Sequence, residues 1–477
     1  MIEVFTNLEN MQNELADIVK LFSLCSENIT VHHESCDDGT WRDSFTVHID
    51  DEGELTKRVF SRTQISGDRL EIIRQRKRFC KNSLYSLLKE VTGYHPPWGS
   101  LTGIRPMRLL YEYIERGHDK NSALEKLCDD FDLSSEKAAV LSSIYDTQTD
   151  IYAVPQDAYD VYIGIPFCPT RCAYCSFVSS DMAQGKKHVD AYVNALINEM
   201  RAGAYDMDAS GRKVRALYIG GGTPTALPQN LFEKMLDAAV DCFGSAAEFT
   251  VEAGRPDSID REKLLAIKSR GATRISINPQ TMNDKTLKVI GRNHSAENII
   301  TAFATARECG LDHINADIIA ALPGEDIGDF ERTLEQIDVM RPESLTVHTL
   351  AIKRSSALKE DGYAQANADQ ATLMVSRAAD YAKSAGYLPY YLYRQKYMAG
   401  NLENVGYCKE DLQCVYNIDI MEETAPILAF GAGAVSKWTY DGNRRIERAP
   451  NVKNIEEYIA RVDEMIQRKR RLYQAPK

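Results

Sequence analysis

The chain has 477 residues, 44% hydrophobic and 26% charged, the composition of a globular protein with two to four folding units at ~150 residues each. No apolar run reaches the ~18 residues of a membrane-spanning helix, and Met1-Ile2-Glu3-Val4-Phe5 shows no basic or apolar leader, so a cytoplasmic protein is expected. Its 57 Lys and Arg against 69 Asp and Glu leave a net charge of −12, which speaks against nucleic-acid binding, since that depends on neutralising phosphates.

Residues 1–150 read as a separate α/β unit of open role. The alternation in Ser44-Phe45-Thr46-Val47-His48-Ile49 predicts a half-buried strand, paired with Leu55–Phe60 across the turn Asp50-Asp51-Glu52-Gly53. A helix follows from Arg69 to Val91. The segment Gly93-Tyr94-His95-Pro96-Pro97-Trp98-Gly99 is too rich in Pro and Gly for either element, and its rigidity suits packing between domains.

Between 158 and 360 strand-like and helical runs alternate. The strands are Val161–Pro166, Ala216–Ile219, Phe249–Val251, Arg274–Ile277, Ile314–Ile319 and Leu345–Leu350. The helices are His188–Ala204, Leu231–Cys242, Arg261–Arg270, Ala296–Cys309 and Phe330–Met340. Such alternation implies βαβ units and a parallel sheet, open or curled into a partial barrel. Residues 361–477 form a mainly helical extension. It holds a helix over Ala371–Ala385, the tyrosine-rich Tyr387–Tyr397, the turn-prone Phe430-Gly431-Ala432-Gly433-Ala434 and a final helix Ile455–Arg471. The basic run Arg468-Lys469-Arg470-Arg471 reads as a solvated helix end.

Eleven cysteines, an odd number over a long chain, are no secreted disulfide framework. Cys25, Cys36, Cys80, Cys128, Cys242 and Cys309 stand alone and read as buried thiols, and Cys408 and Cys414 have a weak spacing for a metal. Phe167-Cys168-Pro169-Thr170-Arg171-Cys172-Ala173-Tyr174-Cys175 is different. It follows the first strand of the repeat, where parallel α/β folds build their sites. Its C-x3-C-x2-C thiols can hold three irons of a 4Fe-4S cluster, with one iron left open, or a zinc ion with a distant fourth ligand.

This motif resembles that of the radical S-adenosylmethionine (SAM) enzymes. Tyr162-Ile163-Gly164-Ile165-Pro166-Phe167-Cys168, the Pro-Pro-Trp segment and Tyr393-Arg394-Gln395-Lys396-Tyr397 are similar to the oxygen-independent coproporphyrinogen III oxidase group, and within it to HemZ-type coproporphyrinogen dehydrogenases. The resemblance implies an α/β fold with a partial (β/α)6 barrel, a 4Fe-4S cluster on Cys168, Cys172 and Cys175, and SAM on its open iron. It implies SAM contacts from Tyr162, Tyr174, the segment Gly221-Gly222-Thr223, Glu252, Gln280, Arg292 and Asp317. It implies oxidative decarboxylation of coproporphyrinogen III propionates to protoporphyrinogen IX, with a reduced flavodoxin or ferredoxin-type electron donor. For a tetrapyrrole substrate, Trp98 and Arg105 would also suit a lid.

Three departures stand out. The family's Glu-x-Asn/Asp-Pro reads Glu252-Ala253-Gly254-Arg255-Pro256. The Tyr-x-His before the cluster reads Tyr162-Ile163-Gly164. A further cysteine of the oxidases is Phe177 here, a trait shared with the related haem chaperones, which are the alternative function.

Overall fold

The computed structural model describes residues 2–26, 28–50, 55–64, 67, 69–103, 105–175, 180–352, 356–360, 363, 368–395, 398–440 and 445–474. The chain divides into two units, Met1–Ser142 and Ser143–Lys477.

In the first unit, strands β1 (Ile2–Thr6), β2 (Ile29–Asp37), β3 (Thr40–Ile49) and β4 (Thr56–Thr63) form a sheet in that order. β1 runs parallel to β2 and the other pairs are antiparallel. The anticipated turn at 51–53 lies outside the described residues. Helices Gln12–Val19 and Arg69–Thr92 lay Leu15, Ile18, Leu84 and Leu88 on Val31, Phe45 and Val47. One polar group sits inside: His33 Nε2 lies 3.1 Å from Asp43 and 3.7 Å from the Cys80 sulfur. Arg76 donates to both oxygens of Asp43. Against the upward push of burial, His33 and Arg76 hold that carboxyl at about 2, so the buried charge is paired.

Trp98 is buried, and its neighbours bond within their own unit: Ser100 N–H to the Phe131 carbonyl at 2.8 Å, Ser134 N–H to that of Pro97 at 3.0 Å. At Gly99, with φ +52°, any Cβ would lie 1.8 Å from the Phe131 oxygen. These bonds hold the segment inside the first unit, and the Trp98 ring is buried. Helices Pro106–Glu115, Lys120–Phe131 and Ser135–Tyr152 follow, none of them anticipated.

The second unit is built on β5 (Ala158–Ile165), β6 (Lys213–Gly221), β7 (Glu248–Gly254), β8 (Arg274–Ile277), β9 (Ile314–Ala320) and β10 (Ser344–Thr349). These six lie side by side in chain order and all parallel, each within a few residues of its expected span. Every residue of β5 except Tyr162 is buried, as a sheet covered on both faces requires. The intervening helices are Val189–Ala209, Gln229–Phe243, Arg261–Ser269, Ala296–Glu308 and Ile327–Met340, the last three capped by the side chains of Asp260, Ser295 and Asp326. Ser295 and Asp326 each form a capping box.

The extension beyond 360 is less helical than expected. Its helices Ala368–Ser384, Val415–Glu422, Ile455–Ala460 and Val462–Tyr473 are joined by β11 (Leu388–Tyr393), β12 (Asn404–Cys408), β13 (Ile427–Phe430), β14 (Val435–Tyr440) and β15 (Arg445–Pro450). These strands extend the barrel sheet at both ends, giving the order β11-β12-β10-β9-β8-β7-β6-β5-β13-β14-β15. The tyrosine-rich run is a strand paired with β12, with the rings of Tyr391 and Tyr393 stacked 6.3 Å apart and Tyr390 set against Tyr391 at a register break. The last helix breaks at Arg461. The basic run is not a solvated end: Lys469 is 2% exposed and ion-paired with Glu199, and Arg470 lies 2.8 Å from Asp206.

The short helix Val415–Glu422 touches strands far apart in the sheet. Tyr416 stacks on Tyr162 of β5 and Tyr218 of β6, and Asn417 donates to the hydroxyl of Tyr390 on β11 at 3.0 Å. Contacts to β5 and β11, seven places apart in one sheet, require it to curl around this helix. Glu248, at the start of β7, accepts the free N–H groups of Val415 and Tyr416 at 2.8 and 3.1 Å, fixing the helix at the N-terminal ends of the strands. Among the described residues, no helix is long and apolar enough to cross a membrane.

Candidate functional site

The expected site residues gather at the C-terminal ends of the parallel strands. Cys168, Cys172 and Cys175 lie on the loop after β5, each partly exposed. Among the described residues, His33, Asp43 and Cys80 are the group whose three ligand atoms fall within 4.8 Å of one another. The three loop thiols, at C-x3-C-x2-C spacing, suit a four-iron cluster, which is held by cysteine thiolates.

The loop is pinned on two sides. Ala173 N–H donates to the Ile290 carbonyl at 3.0 Å, and the Thr170 hydroxyl to that of Gly291 at 3.0 Å. On the other side lies the glycine segment that ends β6. Gly222 N–H donates to the Ile165 carbonyl and Thr223 N–H to that of Phe167, both at 2.7 Å. The Thr223 hydroxyl reaches the Cys168 sulfur at 3.6 Å.

The glycines are sterically required. A Cβ on Gly222 would lie 2.6 Å from the Phe167 oxygen, 2.9 Å from that of Ile165 and 3.0 Å from the Cys168 sulfur. Gly221 has φ +106°. We expect Gly222→Ala to lose cluster loading in an anaerobic iron and sulfide assay. Gly103→Ala, whose Cβ would meet only the Leu101 side chain at 3.6 Å, should load like the parent. Equal loading of both variants would remove the glycine segment from the site.

Glu252, near the end of β7, packs over Gly220, where a Cβ would meet its carboxylate at 2.9 Å. Tyr218 donates to it at 2.7 Å. Burial pushes its carboxyl up to about 7, with Asp317 adding to the rise and Tyr218 and the Gly221 amide opposing it. The departure from the family pattern adds one residue, and the fold absorbs it as a bulge. Strand pairing passes from Glu252 with Ser276 to Gly254 with Ile277, and Gly254 takes φ +76°. Glu252 thus keeps its inward direction. The missing histidine also has a physical reason: a Cβ at Gly164 would lie 3.2 Å from the Tyr162 ring and 3.4 Å from the Phe430 oxygen. Phe177 lies outside the described residues, as do Lys396 and Tyr397.

Gln280 and Arg292 are buried with polar atoms to spare. Gln280 has φ +67°, held there by its N–H on the Asp317 carbonyl and its own carbonyl on Ile319 N–H, both 2.8 Å. Its side-chain Oε1 has no partner. Arg292 bonds the Asn278 carbonyl at 2.5 Å and the Tyr174 hydroxyl at 3.2 Å, and its Nε has no partner. Orphaned buried groups cost ~1–3 kcal/mol each, so two at one site are what a polar ligand would satisfy. Asp317 takes Asn315 at 2.8 Å and faces His348 at 3.6 Å. Burial pushes its carboxyl up, but these neighbours outweigh that and hold it low.

Tyr162 forms a stack with Tyr218 and Tyr416, the closest pair 4.6 Å apart. Burial raises all three hydroxyls, so they stay protonated donors. Tyr218 was legible in principle, since its register partner on β5 is Tyr162. Tyr416 and His348 carried no sequence signal. Of the other thiols, Cys25 and Cys36 are exposed rather than buried. Cys408 and Cys414 are buried, Cys408 pushed up to about 12 by burial and Cys414 bonded to Glu248 at 3.3 Å. A cavity of about 630 Å³ lies at the opposite strand ends, beside Glu248, Arg274 and Val415, away from the loop.

Comparison with known proteins agrees with this geometry. Residues 162–337 match the family model of the radical SAM superfamily. The chain is 39% identical over 403 residues to the oxygen-independent coproporphyrinogen-III oxidase-like protein HemZ of Bacillus subtilis, covering 82% of this chain and 80% of that protein. It is 34% identical over 200 residues to the haem chaperone HemW of the same organism, about half of that protein's length. The fold resembles that of the Escherichia coli coproporphyrinogen III oxidase HemN, a radical SAM enzyme, with a TM-score of 0.54 at 22% identity, over 66% of this chain and 72% of that one. The superfamily uses a 4Fe-4S cluster and SAM, which the thiol spacing, the glycine cradle and the orphaned polar atoms fit. The chain belongs to the radical SAM superfamily and, within it, to the oxygen-independent coproporphyrinogen III oxidase group alongside HemZ.

Proposed function

We propose that this protein oxidatively decarboxylates propionate side chains of a coproporphyrinogen-type tetrapyrrole. The carrying observation is that the cysteine loop, the glycine cradle, Glu252 and the unsatisfied Gln280 and Arg292 share one end of a barrel, in a chain similar over 82% of its length to the oxidase-like protein HemZ. When bound, a reduced cluster and SAM together supply the one-electron chemistry that takes a hydrogen atom from an unactivated carbon. The thiolates of Cys168, Cys172 and Cys175 are the metal ligands in this reading. Gly221, Gly222 and Thr223 let backbone approach the amino-acid end of SAM, and the Glu252 carboxylate receives its ammonium group. Gln280, Arg292 and Asp317 supply polar partners along the wall. Tyr162 and Tyr174 flank the loop, and the tyrosine stack keeps water from the interior. Each propionate then gives up a hydrogen atom, an electron and carbon dioxide, leaving a vinyl group.

The test is anaerobic incubation with SAM, a low-potential reductant such as reduced flavodoxin or ferredoxin, and coproporphyrinogen III, followed by mass spectrometry. Products lighter by the elements of formic acid per side chain are expected. The HemW likeness favours one second reading, a haem chaperone; haem capture without any change to coproporphyrinogen would replace the first reading by that one.

A further inference from the structure

Arg255 stands in the segment where the family pattern has Asn or Asp, and it is 3% exposed. All three of its guanidinium nitrogens are engaged. Nε and one terminal nitrogen fork onto Asp257 at 3.0 and 2.7 Å. The other terminal nitrogen donates to the backbone oxygen and hydroxyl of Thr170, both at 2.9 Å, and points at the Cys172 sulfur from 3.9 Å. The fork fixes the plane of the group, so the contact to the sulfur is aimed rather than incidental. Arg292 also interacts with the same thiol. Two guanidinium groups therefore converge on one of the three cysteines.

We propose that Arg255, aimed by Asp257, is a positioning residue that raises the reduction potential of the cluster through the Cys172 sulfur. The proposal rests on Cys172 being a cluster ligand. Reduction adds an electron, and so negative charge, to the site. A cation and an N–H donor at a ligand sulfur stabilise that added charge, and hydrogen bonds to sulfur are among the determinants of iron–sulfur potentials. Thiolate ligation itself does not need Arg255, so the cluster assembles without it.

The test uses the full-length protein reconstituted anaerobically, with iron and sulfide assays and a potentiometric titration followed by electron paramagnetic resonance. Arg255→Gln should load a full cluster whose reduction constant is at least tenfold less favourable, ~59 mV lower for one electron. Arg255→Lys, which keeps the charge, should recover most of that shift. Thr170→Val, which removes a loop contact and leaves the guanidinium, should keep the parental potential. An unchanged potential in loaded Arg255→Gln overturns the proposal. So does loss of iron from both Arg255 variants, or an equal shift in Thr170→Val, since each makes Arg255 a loop clip only. Full iron in Cys172→Ala would instead remove the ligand reading beneath it.

Discussion

Single Ala substitutions at Cys168, Cys172 and Cys175 are expected to abolish iron–sulfur loading, while Cys242→Ala loads fully. The three thiols share one loop, and a cluster bound through three cysteines has none in reserve. Cys242 lies on the helix Gln229–Phe243, where burial raises its thiol and keeps it protonated. The loop is held by the backbone of Ile290 and Gly291, by Arg255 and by the glycine segment, none of which needs a sulfur. The variants should therefore fold and melt near the parent, with colourless protein and no measurable sulfide. A full complement of iron in any one of the three would falsify the cluster assignment.

SAM affinity should depend on pH through Glu252. Burial raises its carboxyl from 4.5 to about 7, so the ligand-free protein is largely protonated there below neutrality. An ammonium group needs the carboxylate as partner, so binding strengthens as pH rises through about 7 and weakens toward tenfold per unit below it. Glu252→Gln should bind weakly and without this dependence, with iron content unchanged. The sign for stability is opposite. A carboxyl raised in the folded state stabilises fully below its unfolded value of 4.5 and loses that contribution as pH rises to about 7. Without SAM, the melting temperature of the parent should thus fall relative to Glu252→Gln across that window. Calorimetric titration of SAM at several pH values, with parallel melts, reads both; a flat affinity profile would remove Glu252 from the binding site.

What the sequence revealed depended on whether the signal was local. The six parallel strands were visible because burial on both faces demands continuous apolar runs, and the cysteine loop and glycine triplet because close spacing is itself the chemistry. Gln280 could be named, but not its positive φ, which comes from bonds to a strand 37 positions on (Asp317 to Gln280). Tyr416 was out of reach. It lies on an eight-residue helix of weak amphipathic pattern, and only the curl of the sheet brings it to Tyr162. The extension looked mainly helical because its strands are short, and Tyr390, Tyr391 and Tyr393 read as composition rather than alternation. The basic run misled because charge alone says nothing of a partner 270 residues away, here Glu199 for Lys469.

The strands contributed by the extension bear on aggregation. A six-stranded half-barrel ending at β5 and β10 would present two long, apolar, unpaired strand edges, the usual templates for adding another chain. β13 covers the first and β12 the second. The rows that become outermost are of a different kind. β11 carries Pro389 beside a register break, and β15 carries Arg445, Glu447, Arg448 and Pro450. Proline withholds a donor, and charge repels an incoming strand. A full ring disposes of its edges by closing; among the described residues this sheet stays open and instead moves its edges outward, onto strands that a neighbouring molecule cannot readily extend.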